Sequence, residues 1–343
     1  MTTILEETAM TATSLGDVAL DVCGLSVDIR TPYGVVRAVD GVTFGARRGE
    51  TLALLGESGC GKSMTAQAIV GLLAPVADIA EGSVGLTIDG ATTDLVTASR
   101  KRRRELAGPE LAIVFQDALT ALNPVYTVGY QVAEPFRIHR GMSKRNARAA
   151  AIDLMKRVGI PEPETRIDAY PHEFSGGMRQ RLLIAIAVAL SPSVLLADEP
   201  TTALDVTVQA QIMQLLRDLR QERDMAVVLI THDLALVSEQ ADRVVVMYAG
   251  NVVEQGLVSD VFDKPKHPYT RGLLDSVPGG AERGADLKSI GGNPPELHAI
   301  PTGCVYQDRC PLVRDLCRSS RPEPREVAIG HISACHFPDE VNA

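Results

Sequence analysis

Two acidic residues follow each other at the end of an apolar run, where residues 194–199 read VLLADE. Such a run predicts a buried strand, and open α/β sheets bind ligands at the carboxyl ends of their strands. At that place Asp198 would hold a magnesium ion through water, and Glu199 would act as a general base on the attacking water. The pair therefore predicts a site that hydrolyses a phosphate bond.

A glycine-rich motif predicts the matching phosphate site. It fits G-x-x-x-x-G-K-[ST] in full and stands between a predicted strand at 51–55 and a predicted helix over 62–73. Glycines let backbone N–H groups turn towards phosphates, Lys62 would reach the β- and γ-phosphates, and Ser63 would ligate magnesium. The predicted nucleotide-binding residues of this loop are Gly56, Glu57, Ser58, Gly59, Cys60, Gly61, Lys62 and Ser63. Alone, the motif indicates only a nucleoside triphosphatase.

Two polar residues follow other predicted strands. Gln116 comes after the apolar run 111–115 and would bridge magnesium and the attacking water, and His232 comes after 227–231 and would hydrogen-bond the γ-phosphate. Each alone is more often an ordinary turn residue, but their order around one phosphate loop favours a shared site. The predicted catalytic residues are Glu199, His232, Gln116 and Lys62, and the predicted magnesium ligands are Ser63, Gln116 and Asp198.

A second phosphate-binding position is predicted where Ser175-Gly176-Gly177 opens a long apolar helix. A helix start offers free backbone N–H groups and a partial positive charge. Because the chain already has a phosphate loop, this helix start would serve the nucleotide of a partner subunit. Asp205, just past the two acids, would contact that facing subunit. The pattern predicts a nucleotide-driven dimer.

The runs that position these residues predict an α/β fold. Alternating segments at 18–29 and 35–44, together with 84–88, predict an antiparallel layer. Continuous apolar runs near residues 52, 113, 195, 229 and 245 predict a parallel sheet covered on both faces. Helical spacing at 144–158 predicts that the insert at 117–190 is a helical subdomain.

Composition narrows the class of protein. The 343 residues are enough for two or three domains, and 45% of them are apolar. A net charge of −9 argues against nucleic acid as a partner, and the basic run at 100–104 is interpreted as a solvated helix face. The longest apolar stretch, 182–190, is too short to span a bilayer, and the N-terminus lacks the features of a signal peptide. We expect a cytoplasmic protein.

Four cysteines follow a proline-rich stretch that begins near residue 265, at Cys304, Cys310, Cys317 and Cys335. A disulfide framework is rare in cytoplasmic proteins, whereas thiolates favour zinc or iron–sulfur clusters. Zinc sites usually show tight C-x₂-C pairs, and the wider spacing here suits a four-cysteine iron–sulfur cluster better. The cysteines therefore predict a soft-metal site that holds an iron–sulfur cluster, with zinc as the alternative.

Taken in order, the motifs of residues 17–265 resemble those of the ATP-binding subunits of ABC transporters. The matching residues are Gln116 for the Q-loop, Ser175-Gly176-Gly177 for the signature, Asp198-Glu199 for Walker B, Asp205 for the D-loop and His232 for the H-loop. Tyr33 stands where the family carries an aromatic residue that stacks on adenine. The signature departs from the commoner form at Phe174 and Met178, outside its phosphate-contacting part. The resemblance implies an ATPase with ATP and Mg²⁺ at the site.

The C-terminal region is similar to that of the ATP-binding subunits of dipeptide and oligopeptide ABC importers. The resemblance rests on His267-Pro268-Tyr269, on the segment from Gly303 to Pro311, and on the signature form Ser-Gly-Gly-Met-Arg-Gln-Arg. In some members of that group four cysteines hold a [4Fe–4S] cluster, which implies Cys304, Cys310, Cys317 and Cys335 as ligands. The implied cargo is a di- or oligopeptide, with nickel or another small solute as the alternative. A soluble ABC ATPase without a transport role is less favoured.

The resemblance also implies partners and a location. The implied partners are a second ATPase subunit, expected to be a paralogue, two transmembrane permease subunits and an extracytoplasmic peptide-binding protein. The chain would then work at the cytoplasmic face of the membrane, with 117–130 as its docking surface. The implied fold is a RecA-like P-loop core with an antiparallel β subdomain, a helical insert and a small cysteine-containing domain. The predicted boundaries are a disordered tail at 1–16, the ATP-binding domain at 17–265 and the C-terminal domain at 266–343.

Overall fold

A computed structural model describes residues 18–202, 204–276 and 290–342, without the side chains of residues 118 and 119. The predicted tail at 1–16 lies outside these residues. The strands are β1 (Val18–Thr31), β2 (Gly34–Arg47), β3 (Thr51–Leu55), β4 (Ala77–Ile88), β5 (Ala91–Asp94), β6 (Leu111–Val114), β7 (Val194–Asp198), β8 (Ala226–Thr231), β9 (Arg243–Tyr248), β10 (Asn251–Leu257), β11 (Arg325–Ala328) and β12 (His331–Ser333). The helices are α1 (Lys62–Val70), α2 (Arg100–Leu106), α3 (Ala118–Ala121), α4 (Val128–Arg140), α5 (Lys144–Arg157), α6 (Pro163–Arg166), α7 (Gly176–Val188), α8 (Val206–Arg223), α9 (Leu234–Gln240), α10 (Val258–Asp263), α11 (Pro268–Asp275) and α12 (Asp315–Ser319).

The strands form two sheets. An antiparallel sheet has the order β2-β1-β4-β5, and a larger sheet has the order β11-β12-β10-β9-β3-β8-β7-β6. In the larger sheet the pairs from β9 through β3, β8 and β7 to β6 are parallel, and β10 joins β9 antiparallel. The predicted antiparallel layer and parallel sheet are therefore confirmed. The carboxyl ends of β3, β6, β7 and β8 meet at one edge.

Burial on both faces explains the continuous apolar runs of the central strands. Every residue of β3, β7 and β8 is buried. One apolar core fills the space between the two sheets around α1 and includes Leu20, Leu52 and Ile69. A second core joins helices α4, α5, α7 and α8 to the other face of the sheet and includes Val132 and Leu182.

The helical insert contains α3 to α7, within the predicted range 117–190. Helix α1 is shorter than its predicted 62–73 because Gly71 adopts φ 72°, a left-handed conformation that ends the helix. Helix α4 keeps Pro135 inside its span. In the described part of the chain no helix combines the length and apolarity that a membrane crossing requires.

The C-terminal region continues the large sheet instead of forming a sheet of its own, because β12 pairs with β10 and β11 pairs with β12. The carboxylate of Glu254, on β10, is fully buried at this junction. It accepts hydrogen bonds from the backbone N–H groups of Lys266 at 2.5 Å and His267 at 3.0 Å, and His331 Nε2 lies 2.7 Å from its Oε1. The predicted boundary at 265/266 thus falls inside one hydrogen-bonded junction, and it stays a prediction.

Candidate functional site

The phosphate loop connects β3 to α1, as the motif predicts. Gly61, which caps α1, has φ 102°, and a Cβ atom there would lie 2.9 Å from the carbonyl oxygen of Ala38. Only glycine meets both conditions without strain. The loop is therefore held close to β2 while its backbone turns.

Lys62 is already tied to the loop. Its side chain is 5% exposed, and Nζ donates to the carbonyl oxygens of Gly56 at 2.8 Å and Glu57 at 3.0 Å. Phosphate oxygens are stronger acceptors for an ammonium group than amide carbonyls. The ammonium group is thus positioned where a triphosphate would exchange with these carbonyls.

Asp198 and Ser63 face each other across the loop. Ser63 Oγ donates to Asp198 Oδ1 at 3.0 Å. Burial raises the pKa of Asp198, and the hydrogen bond from Ser63 offsets this only in part. A buried carboxylate beside a hydroxyl is the hard oxygen set that Mg²⁺ prefers, so these residues fit the predicted ion.

Glu199 is the centre of the site. Gln116 Nε2 and Thr202 Oγ1 each donate to its Oε2 at 2.8 Å, and His232 Nδ1 lies 2.9 Å from its Oε1. Burial acts to raise the pKa of Glu199, but the hydrogen bonds with His232 and Thr202 outweigh it and lower the pKa. The carboxylate is thus held ionised, as a general base requires.

The carboxyl ends of three strands bring these groups together. Gln116 follows β6, Glu199 follows β7 and His232 follows β8, the three neighbours at one end of the parallel sheet. Glu199 adopts φ 45°, and its N–H donates to the carbonyl oxygen of Ile230 at 2.9 Å. The left-handed turn directs the chain away from the strand and leaves the carboxylate at the edge.

Thr202 is a site residue that sequence reasoning did not single out. It lies three positions after Glu199 and supplies one of the two donors to Oε2. The signal was a hydroxyl in the turn after two acids, a position from which a side chain can reach back to the preceding turn.

The residues predicted to face a partner lie apart from this network. Ser175 caps α7, and its Oγ accepts from the N–H of Met178 at 3.4 Å. Asp205 caps α8, and its Oδ1 accepts from the N–H of Val208 at 2.9 Å. In the described ranges no hydrogen bond links Ser175, Gly176, Gly177 or Asp205 to the phosphate loop. Each one organises its own helix start.

Tyr33 lies in the turn between β1 and β2, and its side chain is 100% exposed. Its N–H donates to Thr31 Oγ1 at 3.2 Å. The ring has no contact that would compete with a ligand among the described aromatic pairs. Adenine stacking on Tyr33 stays a prediction.

The four C-terminal cysteines line one pocket, Cys304, Cys310, Cys317 and Cys335, together with His267 and Tyr306. Burial raises the pKa of Cys310 to about 12 and that of Cys335 to about 11. Within the described ranges no three His, Cys, Asp or Glu side chains are placed to hold a metal ion. The predicted soft-metal centre is therefore not confirmed, although four sulfur donors around one pocket fit a soft metal chemically.

Comparison with known proteins decides the family. A model described as ABC transporter matches residues 39–202, and one described as the C-terminal region of oligopeptide/dipeptide transporters matches 253–317. The chain is 48% identical over 319 residues to the dipeptide transport ATP-binding protein DppD of Escherichia coli K12, covering 93% of this chain and 96% of the relative. The chain belongs to the ABC transporter family. It is an ATPase of that family, as predicted.

A further relative and two solved structures place this ABC ATPase more closely. The oligopeptide transport ATP-binding protein OppD of Salmonella typhimurium LT2 is 44% identical, with 98% of each chain covered. A dimeric structure of the ATP-binding cassette MJ0796, in a post-hydrolysis state with ADP and Pi, has a TM-score of 0.61, is 28% identical and covers 70% of this chain and 98% of its own. CbiO1 of Clostridium perfringens, part of an ABC transporter complex, has a TM-score of 0.59, is 31% identical and covers 72% of this chain and 92% of its own. The ABC ATPase cassette fold is thereby confirmed.

Proposed function

We propose that this ABC ATPase hydrolyses ATP to drive the uptake of di- or oligopeptides across the cytoplasmic membrane. The observation that carries the ATPase part is the Glu199 carboxylate, held ionised by His232 and Thr202 at the same sheet edge as Lys62 and Asp198. The relatives named above, similar over almost the whole chain, confirm the predicted role as the ATP-hydrolysing subunit of a peptide importer.

Each side chain of the site has a proposed role. Lys62 binds the β- and γ-phosphates, and Ser63, Asp198 and Gln116 would hold magnesium, which would neutralise charge on the phosphate oxygens. Glu199 accepts a proton from the attacking water, and His232 orients Glu199 and binds the γ-phosphate. The N–H groups of the loop at 56–63 surround the phosphates, except that of Glu57, which donates to the hydroxyl oxygen of Tyr269 at 2.9 Å. Tyr33 stacks on the adenine.

A second ATPase subunit completes the site. Ser175, Gly176 and Gly177 would bind the γ-phosphate held by the partner, and Asp205 would lie at the contact between the two subunits. Support comes from the exposed start of α7, whose free N–H groups suit a phosphate, and from the dimeric MJ0796 cassette, to which the chain is similar. We favour a paralogue as the partner.

The segment 117–130 is the proposed docking surface for a transmembrane permease subunit, one of the two expected in the complex. Three apolar side chains on it are exposed, Val125 at 71%, Tyr126 at 47% and Tyr130 at 42%, and the last two stack with ring centres 4.8 Å apart. Exposed aromatic groups of this kind favour a protein contact. Bound there, the subunit would lie peripherally on the cytoplasmic face, and an extracytoplasmic peptide-binding protein would deliver cargo.

The transport role is tested by uptake of a radiolabelled dipeptide in cells that carry the permease subunits. We expect uptake with the wild-type chain and loss of uptake with Glu199→Gln, while both proteins remain with the membrane fraction. Uptake of nickel but not of peptide would favour the alternative cargo. Normal peptide uptake by the Glu199→Gln protein would contradict the role of this ATPase.

We also propose that the cysteine pocket binds a [4Fe–4S] cluster through Cys304, Cys310, Cys317 and Cys335, with zinc as the alternative. A bound cluster would keep these thiols deprotonated despite their buried surroundings. Protein purified without oxygen is expected to contain iron and sulfide and to be brown. Cys335→Ser should lose both, while Cys23→Ser, which changes an exposed cysteine of β1, should keep them. Stoichiometric zinc in a colourless protein would overturn the cluster.

A further inference from the structure

Glu57, the second residue of the phosphate loop, is held at two points by the C-terminal region. Its backbone N–H donates to the hydroxyl oxygen of Tyr269 at 2.9 Å. Its carboxylate accepts two hydrogen bonds from Arg309, from Nη1 at 2.6 Å and from Nη2 at 3.0 Å. Arg309 is 252 positions further along the chain. The phosphate loop is thus connected to residues that lie outside the segment 39–202 matched by the ABC transporter model.

Arg309 is buried, and contacts other than the one with Glu57 hold its side chain in place. Its side chain is 4% exposed, against 29% for that of Glu57. Its Nε donates to the carbonyl oxygen of Gly291 at 3.0 Å, and its guanidinium lies over the ring of Tyr248, 5.7 Å from the centroid. A planar guanidinium held on several sides positions a carboxylate as well as neutralising it.

Tyr269 belongs to a cluster of three packed tyrosines. Its ring centre lies 4.7 Å from that of Tyr248 and 5.4 Å from that of Tyr306, and Tyr248 and Tyr306 meet edge to face at 5.1 Å. Tyr306 also lines the cysteine pocket, and Arg309 directly precedes Cys310. The two contacts to Glu57 therefore start from one packed unit that reaches from the loop to the cysteines.

The charge of Glu57 explains why such a contact would matter. The same residue offers its carbonyl oxygen to Lys62 Nζ at 3.0 Å, so its carboxylate stands in the loop that must receive a polyphosphate. An uncompensated carboxylate at this place would repel the nucleotide. The bidentate contact with Arg309 removes most of that repulsion.

We propose that Arg309 and Tyr269 are positioning residues for nucleotide binding, through which the C-terminal region sets the affinity of the phosphate loop. Arg309 neutralises Glu57, and both residues together fix the place of Glu57 in the loop. The inference rests on the nucleotide site proposed above. It assigns to the C-terminal region a direct effect on the ATPase core.

The test compares full-length Arg309→Met and Arg314→Met proteins in equilibrium binding of Mg·ATP and in ATPase kinetics. Arg314 is the matched control, because it pairs with Glu340 and stacks on Phe337 in the same region without touching the loop. We expect Arg309→Met to raise the Kd and KM for Mg·ATP about ten-fold and to change kcat less than about two-fold. The control should bind as the wild type does.

A second variant separates charge from general structural damage. In Arg309→Met/Glu57→Gln the carboxylate is gone, so we expect the Kd to return to within about three-fold of the wild type. Wild-type affinity in folded Arg309→Met, or equally weak binding in the single and double variants, would overturn the inference. If Arg309→Met does not fold, Tyr269→Phe is measured instead, with an expected rise in Kd of about three-fold, and wild-type affinity there would overturn it. Wild-type protein that binds no Mg·ATP would contradict the nucleotide site itself.

Discussion

The residues around Glu199 and those around Ser175 are both predicted to act on a γ-phosphate, the first on the chain's own nucleotide and the second on the partner's, but they differ in how many contacts they make within the chain. Glu199 has hydrogen-bonding partners from three strand ends within one chain. Ser175 and Asp205 satisfy only the starts of their own helices. The difference agrees with the proposed dimer, in which one chain would assemble the hydrolytic part of a site and offer the start of α7 to the nucleotide of its partner.

The largest expected effect comes from disrupting the hydrogen-bonded network around Glu199. Glu199→Gln keeps the shape of the side chain but removes the base, so we expect turnover to fall by about 1,000-fold. ATP binding should persist, and with its partner subunit the variant should accumulate as an ATP-bound dimer. Turnover is measured by phosphate release and assembly by light scattering.

The matched control is Glu164→Gln, a surface glutamate paired with Lys156, which should behave as the wild type does. A Glu199→Gln protein that stays monomeric with Mg·ATP, its partner ATPase and the permease subunits would contradict the dimer.

His232→Ala should lower turnover by about 10- to 100-fold and should also change its pH dependence. The hydrogen bond with His232 is one of the causes that lower the Glu199 pKa against the effect of burial. Without it the pKa rises, so the rate should begin to fall at a higher pH as the solution is acidified. Initial rates measured across mildly acidic pH give the shift.

Thr202→Val removes the second hydrogen bond that lowers the Glu199 pKa and should move the acid limb in the same direction. A His232→Ala profile that is lower but unshifted would restrict His232 to the phosphate and exclude its effect on Glu199.

Two neighbouring glycines at the start of α7 test the predicted contact with the partner's phosphate. A Cβ atom on Gly177 would lie 2.6 Å from Val208 Cγ1, whereas one on Gly176 would lie 3.7 Å from Leu204 Cδ2, at ordinary contact distance. Gly177→Ala should therefore lose about 1–3 kcal/mol of unfolding free energy. Gly176→Ala should fold normally and lower ATPase activity of the dimer about ten-fold, because in the proposed dimer its methyl group would face the partner's phosphate.

Chemical denaturation and dimer ATPase assays separate the two effects. Val208→Ala should restore the stability of the Gly177→Ala protein. Full ATPase activity in Gly176→Ala would place the phosphate contact elsewhere.

The smallest expected effect is on stability. Burial raises the Asp198 pKa, so the ionised carboxylate costs folding free energy at neutral pH, and that cost disappears below about pH 4, where it is protonated in both states. Asp198→Asn should raise the melting temperature of nucleotide-free protein by about 2 °C at neutral pH and lose the stabilisation by Mg·ATP. Calorimetry measures both, and a gain that persists at pH 4 would contradict this explanation.

Most of the network around Glu199 could be predicted from the sequence, because its residues follow continuous apolar runs that are typical of central strands. Gln116, Glu199 and His232 each stand directly after such a run, and parallel strands bring their carboxyl ends together. The phosphate loop was predictable for the same reason. Position along a strand is local information that one sequence contains.

What the sequence did not predict depends on long-range or irregular contacts. The pairing of β12 with β10 and the contact of Arg309 with Glu57 join segments far apart in the chain, and no periodicity records them. Helix α1 ended early because a left-handed glycine outweighed the apolar pattern after it.

The sheet junction at Glu254 has a consequence for truncation of the protein. Cutting the chain after residue 265 would strip β10 of its outer neighbour and leave an open edge prone to aggregation. It would also strand a buried carboxylate, because His267 and His331 both lie beyond the cut. The ATP-binding domain and the C-terminal region are therefore expected to unfold as one cooperative unit.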